Sequence, residues 1–151
     1  MFIKKLSIVF SIILILFTIN INTTYAFNSV TQPPISNEYI QELEIIDNYM
    51  YLLVKSVATK SIDPTKANKD IIFIETLIDS LSNKTSKLSQ EDNDVILAMQ
   101  AILNYYKISI INIKFYLEKN DADRLIDSIT SFSLGYNYSS TLRTIIGKAK
   151  Q

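Results

Sequence analysis

Cysteine, histidine and tryptophan are all missing from this 151-residue chain, and glycine occurs only twice and proline three times. Each shortage excludes something. Without histidine or cysteine there is no Ser-His-Asp or Cys-His nucleophile system, no zinc site of ordinary ligands and no bis-histidine haem. The Glu-x-x-His pairs of ferritin-type di-iron bundles cannot be built either. Without cysteine no disulfide can stabilise the fold, and no thiol follows the N-terminal apolar stretch to carry a lipid. Glycine-rich phosphate loops are missing as well. Glycine and proline far below their usual shares of about 7% and 5% argue against a sheet-rich fold with many turns. No cofactor and no metal is expected.

Charge of one sign is also lacking, since 15 basic residues balance 15 acidic ones. Setting aside Lys4 and Lys5 of the N-terminal segment leaves 13 against 15, a net of −2. A nucleic-acid binder shows a clustered basic face, and a helix lying on anionic lipid shows a Lys/Arg excess. Neither pattern is present.

What is present begins with an export signal. Met1–Lys5 is short and positive, and Leu6–Ile19 is an apolar run broken only by Ser7, Ser11 and Thr18. Asn20–Ala26 is polar and ends Thr24-Tyr25-Ala26, with small residues where signal peptidase reads. The run is shorter than the ~20 apolar residues of a membrane span and is followed by asparagines, so cleavage after Ala26 is expected. The organisation predicted is a signal peptide over 1–26, an extended lead-in over 27–35 containing Pro33-Pro34, and a helical domain over 36–151. The destination is secreted or extracytoplasmic, and membrane contact is expected only through this segment or if it stays uncleaved.

Four helical patterns follow. Tyr39, Leu43, Ile46, Met50, Leu53 and Val57 alternate at spacings of four and three, one stripe of a helix over about 36–60. Asp63-Pro64 pairs a capping acid with proline at the first helical position and opens the second helix. Ala67, Ile71, Ile74, Ile78 and Leu81 carry its stripe, and 83–88 reads as a polar connector. Ser89-Gln90-Glu91-Asp92 is a capping box for a third helix reaching Lys119. This helix is apolar on nearly every face. Asn93, Gln100, Asn104, Lys107, Lys114 and Glu118 share a narrow arc, which describes a central bundle helix wetted along one edge and covered elsewhere. The fourth starts near Asn120-Asp121, carries Leu125, Ile129, Phe132 and Tyr136 as its stripe, and ends near Ile146 with Gly147 as cap. Gly135 lies inside it, at a cost of about 1 kcal/mol against alanine. Short connections imply an all-α, antiparallel four-helix bundle running up-down-up-down.

Two groups of side chains are candidates for function. Lys107, Lys114, Gln100 and Asn104 lie on the wet edge of the third helix, and a helix overlying them would make a cationic slot for a small anion. Helices, an export segment and the stretch 58–69 resemble the secreted chorismate mutases, whose site gathers Arg and Lys around two carboxylates. Arg124 and Arg143 are the only arginines here and stand in no matching motif, so the resemblance implies at most that slot. The second group is Tyr49, Tyr51 and Tyr138, which fall off the core stripes. Exposed tyrosines combine apolar area with a polar tip and suit contact surfaces. Ser131–Thr141 shares that vocabulary, although small serines also let helices pack closely. The carboxylates Asp121, Asp123 and Asp127 read as acids favoured by a helix N-terminus.

The expectation is an exported, non-enzymatic bundle that binds another protein or a cell-surface component. One alternative is a small enzyme or anion-binding protein using the lysine slot. Another is a membrane-engaging protein of toxin or immunity type that inserts its apolar third helix.

Overall fold

Stripes at spacings of four and three need a partner surface to bury them. In the computed structural model, which describes residues 37–59, 63–88 and 94–148, they find it in one another. The helices are α1 (Asn37–Ala58), α2 (Pro64–Ser86), α3 (Asp94–Lys119) and α4 (Ala122–Lys148). No strand occurs among the described residues, all of which fall in one compact unit covering 32–151. The export segment with Ala26, the 27–35 lead-in and the 89–92 capping box lie outside the described residues.

Cross-helix pairs give the sense of each neighbour. Glu42 meets Lys84 and Tyr49 meets Phe73, so α2 runs back along α1. Glu75 meets Lys114 and Asp79 meets Lys107, reversing α3 against α2. Asn112 meets Arg124 and Tyr105 meets Tyr138, reversing α4 against α3. Asp47 meets Ser139 and Arg143, which closes the ring between α4 and α1. The core runs through the middle: Leu43, Ile46, Met50, Leu53 and Val57 from α1 face Ile71, Ile74, Ile78 and Leu81 from α2. Met99, Ile102, Leu103, Tyr106, Ile110 and Ile113 from α3 complete it. Each fully buried Ile or Leu contributes about 1.5–3 kcal/mol through removal from water.

The turns are set by local chemistry. Asp63 is extended and its Oδ1 accepts from the N–H groups of Thr65 (2.8 Å) and Lys66 (3.0 Å), so two otherwise unpaired donors are satisfied. Only Asn120 and Asp121 separate α3 from α4. Asn120 takes a left-handed φ of 52° and returns its N–H to the Tyr116 carbonyl, a helix ending that asparagine tolerates better than most residues. Asp121 then caps α4 by accepting from the Asp123 N–H at 3.0 Å.

Three expectations change. Residues 83–86 do not form a connector: α2 continues to Ser86 because Thr85 sits four residues beyond Leu81, on the buried face. α4 runs unbroken to Lys148, so Gly147 lies within the helix rather than capping it. The third change concerns which side of α4 points inward. Ser128, Gly135, Ser139 and Leu142 are buried, while Ile129 and Tyr136 stand more than a third exposed. Small residues win the inner face because α3 comes so close there that larger side chains would collide.

Candidate functional site

The chemistry of the interior gathers on a row that reads as apolar. Leu43, Asp47, Met50, Val54 and Val57 follow one another at four, three, four and three, so Asp47 occupies a core position on α1. It is 1% exposed. Tyr106 from the middle of α3 donates to its Oδ1 at 2.5 Å, and Ser139 from α4 donates to its Oδ2 at 2.6 Å. Arg143, one turn beyond Ser139, places Nη2 2.9 Å from the same Oδ2 and Nη1 3.5 Å from Glu44. Three helices therefore converge on one carboxylate. Its three polar partners lie inside the bundle, except that the Arg143 guanidinium reaches the surface.

Burial raises the pKa of Asp47, and the bonds from Ser139, Tyr106 and Arg143 pull against that rise. Burial also pushes the Tyr106 phenol well above its ordinary value, helped by the adjacent carboxylate, so it remains a proton donor to Asp47 at any physiological pH. Ser139 and Tyr106 expose no surface. A substrate cannot touch them while the bundle is packed, so what the cluster does is hold α1, α3 and α4 in a single register. The guanidinium keeps Nε buried without a hydrogen-bond partner among the described residues.

Lys107 and Lys114 do lie on one edge of α3, and α2 does flank that edge. What α2 brings is acid: Asp79 stands 2.8 Å from Lys107 Nζ and Glu75 stands 2.6 Å from Lys114 Nζ. Both lysines are close to half exposed. Gln100 is partly buried on the same edge and Asn104 is exposed, so each cation in this group already has a carboxylate. Such pairs hold little energy, because water screens them and two long side chains must be ordered. Replacing either lysine with alanine is expected to change the unfolding free energy by less than ~1 kcal/mol in urea titrations.

The tyrosines part company. Tyr49 meets the Phe73 ring edge-on at 5.0 Å, at the outer groove between α1 and α2. Tyr51, two residues on, points to the other flank of α1 and carries Lys55 over its ring at 5.6 Å. Tyr138 stacks on Tyr105 at 5.9 Å, across the α3–α4 groove. The three are exposed but lie on three different sides of the bundle.

Two outward apolar rows have no counterpart among those candidates. On α1, Ile45, Tyr49 and Leu52 are 47%, 43% and 58% exposed, with Phe73 of α2 beside Tyr49. On α3, Leu97, Ile108, Ile111 and Phe115 are exposed along the side facing away from the core. This corrects the expectation that only the polar edge of α3 is wetted. That edge is occupied with α2, and the uncovered face is apolar. The signal was legible, since 97, 101, 104, 108, 111 and 115 keep the same four-three rhythm as the core stripe. Compared with protein-family models, with curated proteins and with solved structures, the chain matches none.

Proposed function

We propose that this chain is an exported, non-enzymatic helical module that binds another protein or a cell-surface component. The contact surface we assign to it is the α1–α2 face around Tyr49 and Phe73. The observation that carries this reading is the row Ile45, Tyr49 and Leu52, which stands about half exposed and is extended across the groove by Phe73. Isolated exposed apolar residues are ordinary, but a contiguous set with aromatic members marks an interaction site. Aromatic side chains also dominate contact energies, because they bury large area with few rotatable bonds. Catalysis has less to stand on. The buried polar cluster around Asp47 is closed to solvent at Ser139 and Tyr106, and the two α3 lysines are taken up by Asp79 and Glu75.

The experiment is photo-crosslinking in the producing cell, with a crosslinker placed at position 48 beside the row. One defined adduct is expected from the otherwise unaltered chain, reduced at least tenfold by Tyr49→Ser with Phe73→Ser. An adduct that forms equally well with the altered face would sink the assignment of this surface. Export is checked separately, by N-terminal sequencing of the released protein, which is expected to begin at Phe27.

Membrane engagement is a second reading, favoured by one observation. α3 is long and apolar enough to cross a membrane, although half of its most apolar stretch is packed inside the bundle. Flotation with liposomes separates the readings, since a binding module stays in the aqueous fraction.

A further inference from the structure

The outer face of α3 repeats a coiled-coil seam. Leu97, Ala101, Asn104, Ile108, Ile111 and Phe115 are all exposed, at successive spacings of four, three, four, three and four. Two helices that wind around each other place residues of that rhythm, 3.5 apart on average, along their shared line. A solvated face has no reason to keep it. The row covers 19 residues, whose 18 steps of 1.5 Å make roughly 27 Å of helix. Within the described bundle α2 and α4 occupy the two flanks, and side chains reach over the row only at its Phe115 end, where Lys119 and Arg124 lie 5.5 and 5.2 Å from the ring centre.

We infer that this seam is a self-association surface, on which α3 of a second copy lies alongside in the same direction. Three observations select a second copy. The first is Asn104, the only polar member of the row. Set in parallel, it falls opposite Asn104 of the second copy, and the two amides can bond to each other. In the opposite sense it would fall against Ile108 and leave a polar group without a partner. A single asparagine in an apolar seam is the feature that fixes register and strand number in parallel pairs.

The second observation is charge. Seam-flanking positions in such a pair approach across the two-fold axis, and here they include Lys107 and Lys114. Each already holds a carboxylate of its own chain, Asp79 and Glu75, so along this stretch two identical faces can meet without cation facing bare cation, while Lys119 and Arg124 at the Phe115 end must swing outward. A face that must accept its own image needs this neutrality.

The third is area. Leu134, Tyr138 and Ile145 form one exposed row on α4 that borders the seam where Tyr138 stacks on Tyr105. With side chains of about 200 Å² each, the exposed fractions of these three and of the seam add to roughly 700 Å². That is close to the ~800 Å² per partner of a stable interface. The surface is distinct from the α1–α2 face, so dimerisation and partner binding can fail independently.

The test is sedimentation velocity of protein produced from the full-length chain, over about 1–100 μM, together with cysteine pairing. Expected is one species of twice the chain mass, with Ile111→Glu raising the dissociation constant at least 100-fold. Because Ile111 is half exposed in the single chain, that variant should keep its helical dichroism and melting temperature. The native chain has no cysteine, so Leu97→Cys reports cleanly. In the parallel seam it cross-links to itself under mild oxidant, and Phe115→Cys does the same. Monomer throughout the concentration range would overturn the inference. So would Leu97→Cys that joins only to Phe115→Cys and never to itself.

Discussion

Replacing Asp47 with alanine is expected to lower the stability of the fold by about 3–5 kcal/mol, the largest loss of any single polar substitution in this chain. The carboxylate is the common acceptor for Tyr106, Ser139 and Arg143. Its removal leaves one guanidinium and two hydroxyls without their acceptor inside a packed interior. Each stranded group costs its own desolvation, which exceeds what the bond added when made. For a domain of this size the loss translates into a fall in melting temperature of well over 10 °C, read by dichroism. Removing the cluster as a unit tells a different story. Asp47→Leu combined with Arg143→Met takes both charges out together, and buried ion pairs replaced by packed apolar groups are often neutral. The double variant is expected to melt above Asp47→Ala. If it does not, the cluster is worth more than its separate bonds.

The same carboxylate gives the stability a recognisable pH dependence. Burial raises its folded pKa above the ordinary 3.8, so the folded state holds a proton that the unfolded state has released. Protonation linkage then makes stability fall as pH rises through the interval from 3.8 up to the raised folded value. Above that value the contribution is constant. This is the reverse of a carboxylate stabilised by a surface cation. Asp47→Asn cannot titrate and isolates the effect. Relative to that variant, the native chain is expected to lose stability over this interval and then run level with it. A native chain that gains on the variant with rising pH would show that Arg143 and the two hydroxyl donors outweigh burial.

Most of the fold is written in the spacing of apolar residues, because a helix can bury a stripe in one way only. Leu43 to Val57 and Ala67 to Leu81 are buried as their rhythm requires. The Asp63-Pro64 start lies where local chemistry demands it. Legibility ends where an inner face is not apolar. α4 packs through Ser128, Gly135 and Ser139, and hydropathy assigns such residues no preference for the interior. Its larger residues, Ile129 and Tyr136, therefore mark the wrong side. Asp47 escapes notice for the opposite reason, since an acid within an apolar row reads as an interruption until Tyr106, Ser139 and Arg143 supply partners from 59 to 96 residues away. The α3 seam shows a third limit. Its rhythm was in the sequence, but a helix with two apolar stripes reads as one that is apolar all round, and only the packing separates the stripe facing the core from the one facing outward. The lysine edge is a fourth case: spacing places Lys107 and Lys114 together, while their acids come from another helix.

Gly135 turns this contrast into a measurement, because propensity and packing predict opposite signs. An alanine inside a helix is favoured over glycine by about 1 kcal/mol, so sequence alone expects Gly135→Ala to stabilise. In the bundle a Cβ at this position would stand 2.6 Å from Cε1 and 2.9 Å from Cδ1 of Tyr106, and 3.2 Å from Cβ of Tyr105. Those distances demand movement, and the ring has little freedom to move. Its hydroxyl is held by Asp47, and the ring stacks with Phe132 at 6.2 Å. To make room, α4 must shift away from α3 and weaken the Ser139 bond to Asp47 as well as the Ser109–Ser128 contact, now at 3.0 Å. Overpacking of this kind costs about 1–3 kcal/mol for one methyl group and more for a branched side chain. Net destabilisation is therefore expected from Gly135→Ala, with Gly135→Leu failing to fold to the native packing. The cause can be isolated by repeating Gly135→Ala in chains that carry Tyr106→Ala. With the ring gone only the Tyr105 Cβ contact at 3.2 Å remains, and the substitution should turn neutral or stabilising. The coupling between the two sites would then be about 2–3 kcal/mol, in the upper part of the range for residues in direct contact. If Gly135→Ala stabilises the native chain, the close approach of α3 and α4 at Tyr106 is refuted, and with it the geometry that delivers the phenol to Asp47.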